Sequence, residues 1–104
     1  MIDMRESEGR KDDSSKANWC LMPWHSLQEV QRVMDYGAKK YAENNWMYVK
    51  RPRFRYLAAL FRHVIAYANG EQLDAESGLH HLAHAVCCCL FIIHFEADND
   101  AQST

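Results

Sequence analysis

The chain has 104 residues, enough for one domain with little to spare. Apolar residues make up 48%, which excludes a disordered chain, and only 4 Gly and 2 Pro are present, too few turn residues for a many-stranded β fold. A net charge of -2 offers no global basic field, so duplex nucleic acid is not an expected partner.

The N-terminal stretch MIDMRESEGRKDDSSK lacks the apolar core of a signal peptide. The longest apolar run, Ala85 to Ile93, falls short of the roughly 18 residues that span a membrane. A cytoplasmic location is therefore expected, with the four cysteines reduced. Cys87, Cys88 and Cys89 are consecutive and point about 100° apart on a helix, so they do not converge on one metal and read as small apolar residues.

Residues 1–18 read as a flexible polar arm, followed by an extended apolar anchor from Trp19 to Trp24. Ser26 and Glu29 have capping-box spacing, which predicts a first helix over 26–43 with Leu27, Val30, Val33, Met34 and Tyr41 on one stripe. Gly37 within it is expected either to end the helix early or to allow a close approach. Pro52 opens a second helix over 53–69, with Phe54, Leu57, Ala58, Phe61, Val64, Ile65 and Ala68 as its apolar face and Gly70 as its stop. A third helix is predicted over 77–96, capped by Asp74 or Ser77, with Leu79, Leu82, Ala83, Val86, Leu90 and Ile93 facing inward. Cys87, Phe91 and Phe95 widen that face beyond what three helices cover. The expectation is an all-α fold, a compact bundle of three main helices completed by oligomerisation through the third. The helical domain spans 19–96, and 97–104 form a polar tail.

Three clusters carry the chemistry. Glu71, Asp74 and Glu76 are hard oxygen donors suited to Mg²⁺ or Mn²⁺, and Glu71-x-x-Asp74 has the ExxD spacing found in half of the metal site of MazG-type pyrophosphohydrolases. Helix capping and solvated charge are the plainer reading of the same residues. His63, His81 and His84 are candidate catalytic groups, because imidazoles can move protons or bind metal beside a phosphate; His80 and His94 read as surface. Arg53, Arg55 and Arg62 suit phosphate through the planar guanidinium, with Lys39 upstream and Asn45 and Trp46 beside them. The short turn after Gly70 places the acidic loop, the end of helix two and the start of helix three together, so Glu71, Asp74, His81, His84, Arg62 and His63 are expected to converge.

The ordered segments Tyr36-Gly37-Ala38-Lys39-Lys40-Tyr41, Asn45-Trp46, Arg62-His63 and Gly70-Glu71-x-x-Asp74-x-Glu76-Ser77-Gly78-Leu79-x-His81-Leu82-Ala83-His84-Ala85 resemble the N-terminal domain of phage dATP/dGTP diphosphohydrolases. The resemblance implies an all-helical fold and divalent-metal hydrolysis of a purine deoxynucleoside triphosphate to monophosphate and pyrophosphate, in the host cytoplasm. It carries over Lys39, Asn45, Trp46, Arg62, His63, Glu71, Asp74, Glu76, His81 and His84. The EExxE half of the MazG-type site has no counterpart in this sequence. An alternative is a non-catalytic module that sequesters a nucleotide, and a third reading is a structural interaction protein built on the apolar third helix.

Overall fold

The computed structural model describes residues 9–97. Three 17-residue helices dominate it: α1, Trp24–Lys40; α2, Pro52–Ala68; and α3, His81–Ala97. Two 3₁₀ turns, Trp19–Leu21 and Asn45–Tyr48, precede α1 and α2. Among the described residues there is no strand, only an isolated antiparallel bridge between Leu73 and His80. The polar arm expected at 1–18 and the tail at 97–104 lie partly outside the described residues; those of the arm that are described, 9–18, are exposed and carry no helix.

α3 is the central element and packs antiparallel to both others. Against α2, Tyr56 meets Phe91, His63 meets His84 and Tyr67 meets His80. Against α1, the Cys87 thiol donates to the Val30 carbonyl at 3.6 Å, and Tyr36 meets His84 edge-on. The core is small: Val30, Val33, Ala83 and Cys87 are buried, with Leu27, Met34, Leu79 and Phe91 packed around them.

Several boundaries and faces differ from expectation. α1 begins at Trp24, with Pro23 as its cap residue, and no side chain caps it; the Ser26–Glu29 box lies one turn inside the helix. The Trp19–Trp24 anchor is a turn folded on itself, with the Trp24 Nε1–H donating to the Trp19 carbonyl, and its large side chains remain exposed. Gly37 neither stops α1 nor touches a neighbour: a Cβ there would meet nothing within 4 Å.

α3 starts at His81, four residues later than expected. Glu76, Ser77 and Gly78 belong to a tight turn, because Gly78 adopts φ +73°. The cap is His80, whose Nδ1 accepts from the Leu82 N–H at 3.0 Å. The inward face of α3 is also different. Leu79, Ala83, Cys87 and Phe91 face α1, whereas Leu82, Val86, Leu90 and Ile93 are exposed. Small residues inside let three helices approach closely, and burial pushes the Cys87 thiol up to about 12 and the Cys88 thiol up to about 11. Phe54, Phe61 and Ile65 of α2 are likewise exposed, so both helices of the hairpin leave large apolar side chains uncovered.

An added methyl acts with opposite signs at Gly78 and Gly37. Gly78→Ala meets open space, so its effect is backbone strain alone, and it should lower unfolding stability by about 1 to 2 kcal/mol. Gly37→Ala, in a helix interior with room for the methyl, should raise it by about 0.5 to 1 kcal/mol. Urea midpoints of the two variants measure both.

Candidate functional site

The loop between α2 and α3 is built by backbone hydrogen bonding. α2 ends in a Schellman motif: the Glu71 N–H reaches the Ala66 carbonyl and the Gly70 N–H the Tyr67 carbonyl, both at 3.0 Å, with Gly70 at φ +97°. Asp74 then organises the turn. Its N–H donates to the Leu79 carbonyl and its carbonyl accepts from the Gly78 N–H, each at 2.8 Å, while its carboxylate accepts from the Ser77 N–H at 2.8 Å. The His81 N–H donates back to the Gln72 carbonyl at 2.9 Å, which fixes where α3 begins.

This turn brings three imidazoles together at the polar end of the hairpin. Nδ1 of His63 and Nδ1 of His81 are 2.9 Å apart. The His63 and His84 rings stack at 4.5 Å and 9°. Nε2 of His84 lies 2.7 Å from the Ser77 hydroxyl, which also accepts from the Leu79 N–H at 3.1 Å. His81 is buried at 5% exposure. Its Nε2 has no hydrogen-bond partner, and Oε1 of Glu71 lies 3.5 Å away.

Burial pushes His63 below the ordinary imidazole value, assisted by His84 and His81, and burial likewise lowers His84 against the opposing pull of Asp74. Both rings are thus held towards the neutral form. Burial pushes the Asp74 carboxyl up, but the Ser77 hydrogen bonds and the nearby His84 and His63 outweigh it and hold the carboxyl below its usual range.

A cleft of about 660 Å³ opens beside this cluster, between α1, the Asn45–Tyr48 turn, α2 and the Asp74 turn. That size accommodates a small organic ligand. Arg55, Ala59, Arg62 and His63 line it from one face of α2, at i, i+4, i+7 and i+8. Asn45, Trp46, Asp74, Glu76 and His84 also line it.

Of the residues singled out in the sequence, Lys39, Arg53, Glu71 and His81 are not in the cleft wall. Arg53 is two residues from Arg55 and so faces elsewhere on the helix. Trp46 is taken up largely in packing: it stacks on Phe91 at 4.5 Å and 12°, with His94 and Phe95 edge-on, and the Tyr56 hydroxyl donates to its carbonyl at 3.2 Å. The three carboxylates do not form one group. Glu76 is bonded to Lys40 at 2.6 Å, Glu71 lies beside His81, and Asp74 clusters with His63 and His81, their ligand atoms all within 4.8 Å of one another.

Two residues have a larger part in the site than the sequence reading gave them. Lys40 lines the cleft in place of Lys39, and its pairing with Glu76 holds its ammonium above the usual lysine value. The signal was in the helical register, since Lys40 follows the buried Val33 by seven residues and so shares its side of α1. Ser77, expected only as a cap, joins the Asp74 turn to His84.

Fold and site together define a small all-α domain whose polar cleft closes on an imidazole–carboxylate cluster. The chain belongs to the family described as dATP/dGTP diphosphohydrolase, N-terminal, which matches residues 6–104. It is similar to a dATP/dGTP diphosphohydrolase of Salmonella phage PMBT28, at 39% identity over 84 residues, covering 81% of this chain and 28% of that protein. The chain thus spans little more than a quarter of the length of the relative it matches. No solved structure matches it. Among the described residues no helix is long and apolar enough to cross a membrane.

Ser77→Ala removes the acceptor of the Leu79 N–H and the partner of His84 in one step. It should lower unfolding stability by about 1 to 2 kcal/mol, measured by urea denaturation, whereas no change would mean that water replaces the hydroxyl.

Proposed function

We propose that this domain binds a purine deoxynucleoside triphosphate in the α1–α2 cleft and, with a divalent cation at its acidic end, takes part in its hydrolysis to monophosphate and pyrophosphate. The observation that carries the reading is the face of α2: Arg55 and Arg62 line the same cleft as His63, Asp74 and His84. Guanidinium groups recognise phosphate oxygens in bidentate fashion, and a wall that runs from arginine to carboxylate orders a triphosphate between a cationic and a metal-binding end. A ligand of this kind agrees with the name of the phage relative, a dATP/dGTP diphosphohydrolase.

Within this reading Arg55 and Arg62 hold the phosphates and neutralise charge that develops on them. Gly37 leaves open space on the cleft wall where a side chain would intrude. His84 is the proton acceptor. In the tautomer whose Nε2–H donates to the Ser77 hydroxyl, the neutral ring keeps its lone pair at Nδ1. Mg²⁺ or Mn²⁺ fits the donors in part: Asp74 is placed to hold it, while Glu76 is engaged by Lys40 and Glu71 stands behind His81. When bound, such a cation polarises a phosphoryl oxygen and lowers the pKa of water. The Lys40–Glu76 pair favours a second reading, nucleotide binding without turnover, because it takes one of three expected carboxylates away from a metal.

A screen of nucleoside triphosphates with Mg²⁺ and Mn²⁺, following pyrophosphate release and binding separately, tests both. The expected result is turnover of dATP or dGTP, lost in Asp74→Ala with binding retained, and a fall in affinity of roughly tenfold or more in Arg62→Ala. Tight binding without turnover in the unsubstituted protein would establish the second reading, and no binding of any nucleotide would overturn both.

The uncovered apolar surface of the α2–α3 hairpin also supports self-association through α3, as its sequence leads one to expect. Light scattering at micromolar concentration should give at least twice the 12.2 kDa of one chain, and Leu90→Arg, on an exposed position, should shift the protein to monomer. A 12.2 kDa particle for the unsubstituted protein would exclude this.

A further inference from the structure

We propose that His63, Asp74 and His81 form a binding site for a borderline transition-metal dication of the Mn²⁺, Fe²⁺, Co²⁺ or Zn²⁺ class, with Glu71 orienting His81 from behind. The site shares Asp74 with the cation of the nucleotide reading and goes beyond it by taking two imidazoles as ligands and by binding metal with no nucleotide present.

Three observations converge. The first is the donor geometry. One nitrogen from each imidazole and one oxygen of Asp74 lie within 4.8 Å of one another, and theirs is the one such group of three among the described residues. The two imidazoles face each other through Nδ1 at 2.9 Å. The contact is a hydrogen bond between the two rings; two nitrogens about 2.0 to 2.1 Å from a common ion are separated by roughly 3.3 Å in a tetrahedron and roughly 2.9 Å at right angles, so an ion that replaces the shared proton finds the rings within a few tenths of an ångström of ligand spacing.

The second observation is the far nitrogen of His81. The ring is 5% exposed, and its Nε2 is buried with no hydrogen-bond partner. Glu71 Oε1 stands 3.5 Å away. Carboxylate, histidine and metal in line is the arrangement by which an outer carboxylate fixes the tautomer of a ligating ring. A cation on Nδ1 places the proton on Nε2, strengthens it as a donor and draws Glu71 into a hydrogen bond that is too long in its absence.

The third is what the surrounding chain does with the neighbouring groups. Nε2 of His84 is engaged by Ser77, and the Glu76 carboxylate by Lys40. The Asp74 carboxylate is pinned through one oxygen by the Ser77 N–H. His63 and Asp74 both line the cleft, so the remaining coordination positions open towards it, as in sites that bind an exogenous ligand rather than closed structural ones. Two imidazoles and one carboxylate suit first-row transition metals, whereas Mg²⁺ prefers oxygen donors and water.

The test uses the full chain stripped of metal by chelator. Calorimetry with Mn²⁺, Co²⁺, Zn²⁺ and Mg²⁺ should show about one transition-metal ion per chain and far weaker Mg²⁺ binding. The Co²⁺ complex should display ligand-field bands without a thiolate charge-transfer band. His63→Ala and Asp74→Asn should each weaken binding by at least an order of magnitude, and Glu71→Gln by roughly 10- to 100-fold, while His25→Ala and His94→Ala leave it unchanged. Circular dichroism checks that each variant folds, and the Co²⁺ spectrum of the unsubstituted protein needs no variant at all. No stoichiometric binding, a thiolate band, unchanged affinity in folded His63→Ala, or Mg²⁺ binding as tightly as Zn²⁺ would each overturn the assignment. Metal binding that persists without any nucleotide binding would uphold it while removing the nucleotide reading.

Discussion

The arrangement depends on the way Asp74 closes a turn on its own backbone. Its N–H and carbonyl are both spent within the segment from Asp74 to Leu79, and its carboxylate is spent in part on Ser77. Together with the Gly70 motif that ends α2, this sets the point at which α3 begins. A start one residue earlier or later would rotate α3 by about 100°, and His81 and His84 would then leave the side that faces His63. The same turn that holds the hairpin together therefore determines which imidazoles meet.

α3 serves the core and the site with opposite requirements. Ala83, Ala85, Cys87 and Cys88 are small enough for it to lie close to both other helices, and this closeness makes the 2.9 Å approach of His63 and His81 possible. The larger apolar side chains, Leu82, Val86, Leu90 and Ile93, remain on the outside. The core of one chain is consequently thin. The polar end of the hairpin compensates through hydrogen bonds and ring contacts rather than through buried area, with Ser77, His84, His63 and His81 in a continuous series.

Much of this was legible in the sequence, and the losses have physical causes. Three helices follow from apolar periodicity and from Pro52 and Gly70, and the convergence of His63, His81 and His84 with Asp74 follows from a short connection between antiparallel helices. The start of α3 was misplaced because Asp74 and Ser77 are good cap residues that are here consumed by a turn, and only the φ of Gly78 separates the two outcomes. The inward face of α3 was not readable, since a helix apolar on nearly every side has no stripe to orient it. The three carboxylates were grouped by spacing, yet Glu71, Asp74 and Glu76 occupy a loop, where spacing of three does not imply a shared face. Glu71 and Glu76 each turn to a basic partner on another element, His81 and Lys40.

The central claim is that the polar end of the α2–α3 hairpin is one preformed site for an anionic phosphate ligand. Nitrogen-resolved NMR of the six imidazoles, recorded while a non-hydrolysable purine deoxynucleoside triphosphate analogue is added, addresses it most directly. The account predicts that His63, His81 and His84 move together along one saturable curve, while His25 and His94 stay in place. Shifts confined to His25 or His94, or saturation of binding with no change at His63 and His84, would contradict it.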